Sequence, residues 1–189
     1  MAQKRKDWNG LMSGFKASDL VFLDESGCNT DMTRRYAYSL GGNRAVDSAP
    51  LSKPKNTTIL SSIQKDGALH YTAFSGGTTV EKFKQYLERD LLPHLNCTSV
   101  LVMDNMKSHH AKAVKNLLDS SGVRYIYLPP YSPDLNPIEK LWSKVKALLR
   151  KFKARTLDAL PDAIQCAFQA VSPSDCSGWF RSCGYMPYF

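Results

Sequence analysis

Three stretches decide how this chain folds: VFLDESG (21–27), LVMDN (101–105) and YSPDLNPIEKLW (131–142). In the first two, a short apolar run, residues 20–23 and 100–103, ends on an aspartate. Such runs predict buried strands whose last residues emerge at a sheet edge, so Asp24 and Asp104 sit at strand ends. The third stretch opens a helix and puts Glu139 in its first turn. In an α/β sheet, ligands bind just beyond the carboxyl ends of the strands, and two strand-end aspartates can approach each other there. The chain between Asp104 and Glu139 is long enough for a helix, a strand and a turn that bring the glutamate back to the same edge.

Three carboxylates at one edge repel one another unless a cation compensates them. Mg²⁺ and Mn²⁺ prefer hard oxygen ligands, so Asp24, Asp104 and Glu139 form a candidate metal site. Two such ions about 3.5–4 Å apart activate a water or hydroxyl on one side of a phosphodiester and stabilise the leaving oxygen on the other. Taken singly, each acid also has an ordinary reading. Asp24 and Asp104 suit strand-end turns, and Asn136-Pro137-Ile138-Glu139 reads as N-cap, N1, N2 and N3 of a capping box. The three together, each at its own structural boundary, favour the metal site.

The strings DESG (24–27), MTRRY (32–36), DNMKSHH (104–110) and YSPDLNPIE (131–139) resemble the catalytic domain of bacterial insertion-sequence transposases of the mariner superfamily. The resemblance runs from about Leu20 to Phe152, and the ending CGY (183–185) is similar to that family's carboxyl terminus. It implies a ribonuclease-H-like α/β fold, a mixed sheet with an antiparallel three-strand meander plus parallel strands and helices on both faces. It also implies that Asp24 bridges two Mg²⁺ ions, replaceable by Mn²⁺, that Asp104 binds one and that Glu139 binds the other. The implied activity is metal-dependent DNA cleavage followed by strand transfer. Transposon ends and target DNA are the implied partners, with a homodimer in the assembled complex. Relatives begin with helix-turn-helix domains, whereas residues 1–19 form only a short basic lead before a domain over 20–189 that ends in a helical tail. A separate helix-turn-helix polypeptide is therefore an expected partner. A structure-specific nuclease and a non-catalytic DNA-binding remnant or regulatory fragment are the alternatives.

Composition agrees with one soluble domain. The 189 residues are 43% hydrophobic and 22% charged, and the formal net charge of +8 favours a polyanionic partner such as DNA. No stretch approaches the eighteen or so apolar residues of a membrane helix, and MAQKRKDW leads into no apolar signal core. A cytoplasmic, bacterial, nucleoid-associated protein is expected. Five cysteines without a CxxC fit reduced, mostly buried thiols better than disulfides or zinc.

Along the chain, Tyr36–Leu40 is expected to pair as a second strand before a loop rich in Gly, Ser and Pro. TTILSSIQ and ALHYTAFSG flank Lys65-Asp66-Gly67, a tight-turn signal, and predict a hairpin. Periodicity predicts helices over 79–95 and 110–120, the latter capped by Gly122, followed by the strand VRYIYL. PPYSPDLNP is stiff, because its four prolines fix φ and bias the residues before them. Asp134 within it is expected to hydrogen-bond backbone rather than join the acids.

In the helix that follows, Ile138, Leu141, Trp142, Val145, Leu148, Leu149 and Phe152 recur at helical spacing and read as core. Glu139, Ser143, Lys146 and Arg150 form a second line, so the glutamate leads a basic ridge suited to a phosphate backbone. Arg34 and Arg35 are further phosphate contacts, since a guanidinium grips phosphate bidentately. Asn105 and Lys107 are candidates to orient the attacked phosphate, with Asn105 alternatively stabilising the strand-end turn. His109 or His110 is a candidate phosphate donor or general acid, or simply a helix start. Glu25, next to Asp24 on a strand, should face the opposite side.

Overall fold

The computed structural model describes residues 2–34, 36–51 and 54–187. Five strands form one sheet: β1 (Leu20–Cys28), β2 (Thr57–Gln64), β3 (Leu69–Ser75), β4 (Val100–Met103) and β5 (Arg124–Tyr127), in the order β3-β2-β1-β4-β5. The first three pair antiparallel, and β4 and β5 add to β1 in parallel. The expected meander and parallel strands are both present. Gly67, at φ 96°, turns the chain between β2 and β3 where an L side chain would be strained.

Tyr36–Leu40 does not form the expected strand. Residues 36–39 lie outside the sheet and Leu40–Gly42 make a single 3₁₀ turn. The cause is pairing: β1 and β2 match from Val21 opposite Gln64 to Cys28 opposite Thr57, and β4 takes the other edge of β1. Both edges of β1 are thereby taken, and Tyr36, Tyr38 and Leu40 stand in solvent.

Alternation along β1 divides the core. Leu20, Phe22 and Cys28 face a layer made by α1 (Ala2–Met12), α4 (Ile138–Phe152), α5 (Ala159–Gln169) and α6 (Pro173–Ser182). Val21 and Leu23 face α2 (Val80–Tyr86), its π-helical continuation Leu87–Leu91, and α3 (Lys112–Ser121), which ends on Gly122 in the left-handed conformation. Helices therefore cover both faces. Of the apolar stripe read on α4, Ile138, Leu141, Trp142, Val145 and Leu149 are buried, each contributing about 1.5–3 kcal/mol. Phe152 is a correction: it is the last residue of α4 and is 42% exposed. Among the described residues no helix is long and apolar enough to cross a membrane.

The amino-terminal lead is not a loose arm. It forms α1, whose Trp8 and Met12 enter the core, and the Trp8 indole N–H donates to the Tyr185 hydroxyl at 3.1 Å. Tyr185 in turn donates to the Leu135 carbonyl at 2.6 Å and packs on Phe22. The five cysteines are free thiols, with Cys28, Cys176 and Cys183 buried and Cys97 and Cys166 exposed.

Candidate active site

The parallel register of β1 and β4 ends with Leu23 opposite Met103. Asp104 follows the last residue of β4 as expected, but Asp24 is not a strand end: β1 continues to Cys28 against β2, so Asp24 lies mid-strand, one residue past the last rung that β1 shares with β4. The even-numbered residues before the two acids face the layer that holds α4. The sequence does this with two apolar runs of equal phase. The proline-rich connection 129–137 then brings the first turn of α4 over the same edge, and Asp24, Asp104 and Glu139 line one cavity of about 450 Å³. Asn105 seals the edge beside them: its amide donates to the Leu128 carbonyl at 2.6 Å, and Leu128 N–H donates to the Met103 carbonyl at 2.8 Å. Asn105 thus makes a stabilising contact at the strand end while remaining exposed and lining the cavity.

The acids differ in environment. Asp24 is buried, with 8% exposure, and its Oδ2 accepts from the Trp142 indole N–H at 3.1 Å. Burial pushes its carboxyl up to about 7; the neighbouring charges of Asp104 and Glu139 add to this, while the Glu25 backbone N–H and Trp142 oppose it. Asp104 is also penalised by burial, but hydrogen bonds from His109 and the Met106 N–H outweigh that and hold it below its ordinary value. Glu139 is exposed at the cavity mouth. Among the described residues no three acidic, histidine or cysteine side chains are gathered closely enough to enclose an ion unaided. Asp104 turns toward His109 and Asp24 toward Trp142, as expected of like charges held apart.

Asn136 does not build the expected capping box. Pro137 takes the cap position, and the first bonds of α4 run backbone to backbone, Glu139 N–H to Asn136 O at 3.2 Å and Lys140 N–H to Pro137 O at 3.1 Å. Asn136 is 4% exposed, its Oδ1 is buried without a hydrogen-bond partner, and it lines the cavity with the acids. An unpaired buried carbonyl in an all-oxygen setting fits a hydrated hard cation or a donor on substrate. Glu139 is thus released from capping. Asp134 stays out of the cavity as expected and, beyond a backbone hydrogen bond, pairs with Arg5 of α1, with Arg5 Nη1 donating to Oδ1 at 3.1 Å.

His109 was expected to reach DNA, yet its side chain has no exposed surface. Its ring stacks on Phe83 at 4.3 Å, and Nδ1 lies 2.7 Å from Asp104 Oδ1. Burial alone would lower its pKa, but the Asp104 hydrogen bond and the charge of Glu25, 3.8 Å from Nε2, overcome burial and raise it to about 9. Glu25 faces away from Asp24 as expected. Lys107 is exposed beside the cavity, and Arg34, Lys146 and Arg150 share a second groove of about 1100 Å³ next to Cys28 and Asn56. Arg35 lies outside the described residues. Trp142 was read as packing alone; its spacing of three from Glu139 was the signal that its indole also looks toward the acids.

A family model described as "DDE superfamily endonuclease" matches residues 19–161. The chain belongs to that family. Within it, the chain is 31% identical to the Tcb2 transposase of Caenorhabditis briggsae over 96 residues, 49% of this chain and 35% of that protein. The DDE fold superposes on Mos1 transposase in its paired-end complex with the left transposon end, with a TM-score of 0.78 and 20% identity over 94% of this chain and 57% of that one. A Mos1 mariner paired end complex with Mn gives 0.74 and 20% over the same shares. The likeness establishes the ribonuclease-H-like fold. The chain spans about a third of Tcb2 and over half of Mos1.

Proposed function

We propose that this chain is the catalytic domain of a transposase that cuts DNA and joins the freed strand to a target, and that it derives from a bacterial insertion sequence. The observation that carries the reading is the convergence of Asp24, Asp104 and Glu139 on one cavity at the carboxyl edge of the sheet, inside a DDE-family fold. The three acids are the ones expected to hold divalent ions, two Mg²⁺ or Mn²⁺, and the Mn of the Mos1 complex supports that choice of metal. Ions bound there supply Lewis-acid polarisation of the phosphodiester and a hydroxyl of lowered pKa.

The chain's own residues do the rest. Trp142 fixes the Asp24 carboxylate, the Asn105 amide keeps the β4 and β5 ends together, and the Asn136 carbonyl offers an acceptor to a group entering the cavity. Arg34, Lys146 and Arg150 grip phosphates in the groove beside the acids, and Lys107 does so near the cavity. Cleavage frees a 3′-hydroxyl, which then attacks target DNA. In this reading residues 1–19 belong to the catalytic unit, two copies assemble on paired transposon ends, and sequence recognition comes from helix-turn-helix modules in the same or another polypeptide.

The test is nicking of a supercoiled plasmid. Asp104→Asn should still fold, with a lower melting midpoint because the carboxylate beside His109 is lost, and should abolish Mg²⁺- or Mn²⁺-dependent nicking, because an amide no longer supplies the anionic oxygen. Nicking that persists in EDTA, or in folded Asp104→Asn protein, would refute the reading.

A further inference from the structure

Behind the cavity runs a line of buried polar groups. Asp104 Oδ1 accepts from the Met106 N–H at 3.0 Å and lies 2.7 Å from His109 Nδ1, which is also 3.4 Å from the Asp104 carbonyl oxygen, whereas Oδ2 takes no hydrogen bond from the described residues. A carboxylate oxygen has no hydrogen to give, so Nδ1 carries it. The imidazole is enclosed: Phe83 stacks on one face at 4.3 Å, Tyr127 donates its hydroxyl to the His109 carbonyl at 3.0 Å, and Glu25 Oε2 stands 3.8 Å from Nε2. Nε2 and Oε2 are both buried without a hydrogen-bond partner. Burying that many polar atoms is costly for a ring that only fills space. An apolar side chain would pack on Phe83 equally well.

The geometry points to His109 as the positioning residue of Asp104: it pins Oδ1 and so presents Oδ2 to the cavity, with Glu25 fixing the ring from behind. Adjacent residues of β1 then serve opposite ends of one device, Asp24 in the cavity and Glu25 beneath it. The role rests on the reading of Asp104 as a metal-holding acid. Partners behind a ligating carboxylate typically govern about 10–100-fold in metal affinity.

The test is Mn²⁺ binding to the full chain by isothermal titration, with folding checked by circular dichroism. His109→Asn keeps an N–H close to the Nδ1 position, while His109→Gln moves it toward Nε2 and away from Asp104. Mn²⁺ should bind His109→Gln about 10–100-fold more weakly than wild type, with His109→Asn recovering most of the loss. Equal losses in both variants, or none in either, would overturn the positioning role. Asp104→Asn that binds Mn²⁺ as tightly as wild type would instead overturn the metal reading beneath it. A second measurement needs no variant: in protein labelled with ¹⁵N-histidine, His109 Nδ1 should be a protonated nitrogen whose shift moves when Mg²⁺ is added. An unprotonated Nδ1, or one indifferent to Mg²⁺, would also overturn it.

Discussion

At the residue scale, the buried acid and the exposed acid invite opposite tests. Asp24 has its carboxyl raised to about 7, with burial the leading cause. A folded-state value above the unfolded one, about 4, means that stability is fully present below pH 4 and is lost as pH rises through 7. In EDTA the protein should therefore melt higher at pH 5 than at pH 8. Asp24→Asn, which keeps an oxygen for the Trp142 indole, should melt several degrees above wild type at pH 8 and match it near pH 4. Superimposable melting curves at pH 8 would mean that Asp24 carries no burial penalty. Glu139 is the contrast. It is exposed, and the start of α4 is bonded through backbone alone, so Glu139→Gln should change unfolding free energy by no more than about 0.5 kcal/mol while removing metal-dependent nicking. Full nicking by that variant would remove Glu139 from the acid set.

At the scale of elements, the carboxyl-terminal helices lock α4 in place. Ser172 Oγ accepts from Asp175 N–H at 3.2 Å, the Asp175 carboxylate accepts from Ser172 N–H at 2.8 Å, and Lys144 of α4 donates to the same carboxylate at 2.6 Å. Lys144 first, then Ser172, hold the Asp175 carboxyl down to about 2. Ser172→Ala should cost about 1 kcal/mol in urea unfolding; an unchanged midpoint would show that α6 is held by packing alone. Ser172-Pro173-Ser174-Asp175 spells this box in the sequence. β1, β2, β4 and α4 were legible because each concentrates a local signal, an apolar run, a Thr/Ile run before Asp-Gly, or a helical stripe. Tyr36–Leu40 alternates as a strand does, but the edges of β1 beside which it was expected are taken by β2 and β4, pairings made by residues far away in the chain. Asp24 and Asp104 were legible because each closes an apolar run, and Glu139 because the proline-rich stretch before it starts a helix. Their partners Trp142, His109 and Glu25 were not, because a side-chain contact between β1, α4 and the residues ahead of α3 exists only once the register of β1 and β4 is set.

At the scale of the whole molecule, charge and shape combine. Charge is spread unevenly over a chain with 25 Lys and Arg against 17 Asp and Glu: three acids meet at one cavity, and Arg34, Lys146 and Arg150 line a separate groove. The acidic cavity repels a polyanion, so duplex DNA should be held by the basic groove and brought to the acids only when cations screen them. Contacts of that kind go to phosphates and carry no sequence information. This chain alone should bind DNA with a dissociation constant on the order of 10⁻⁴ to 10⁻⁶ M at physiological salt, equally for a transposon end and a scrambled duplex. Raising salt should weaken binding with a log–log slope of about −0.9 per phosphate contacted, and Lys146→Ala or Arg150→Ala should each reduce that slope by about one. Fluorescence anisotropy over a salt series measures all of these. A preference of about a thousandfold for one duplex, which base-reading proteins reach, would mean that this chain reads bases itself and that the groove is more than an electrostatic track.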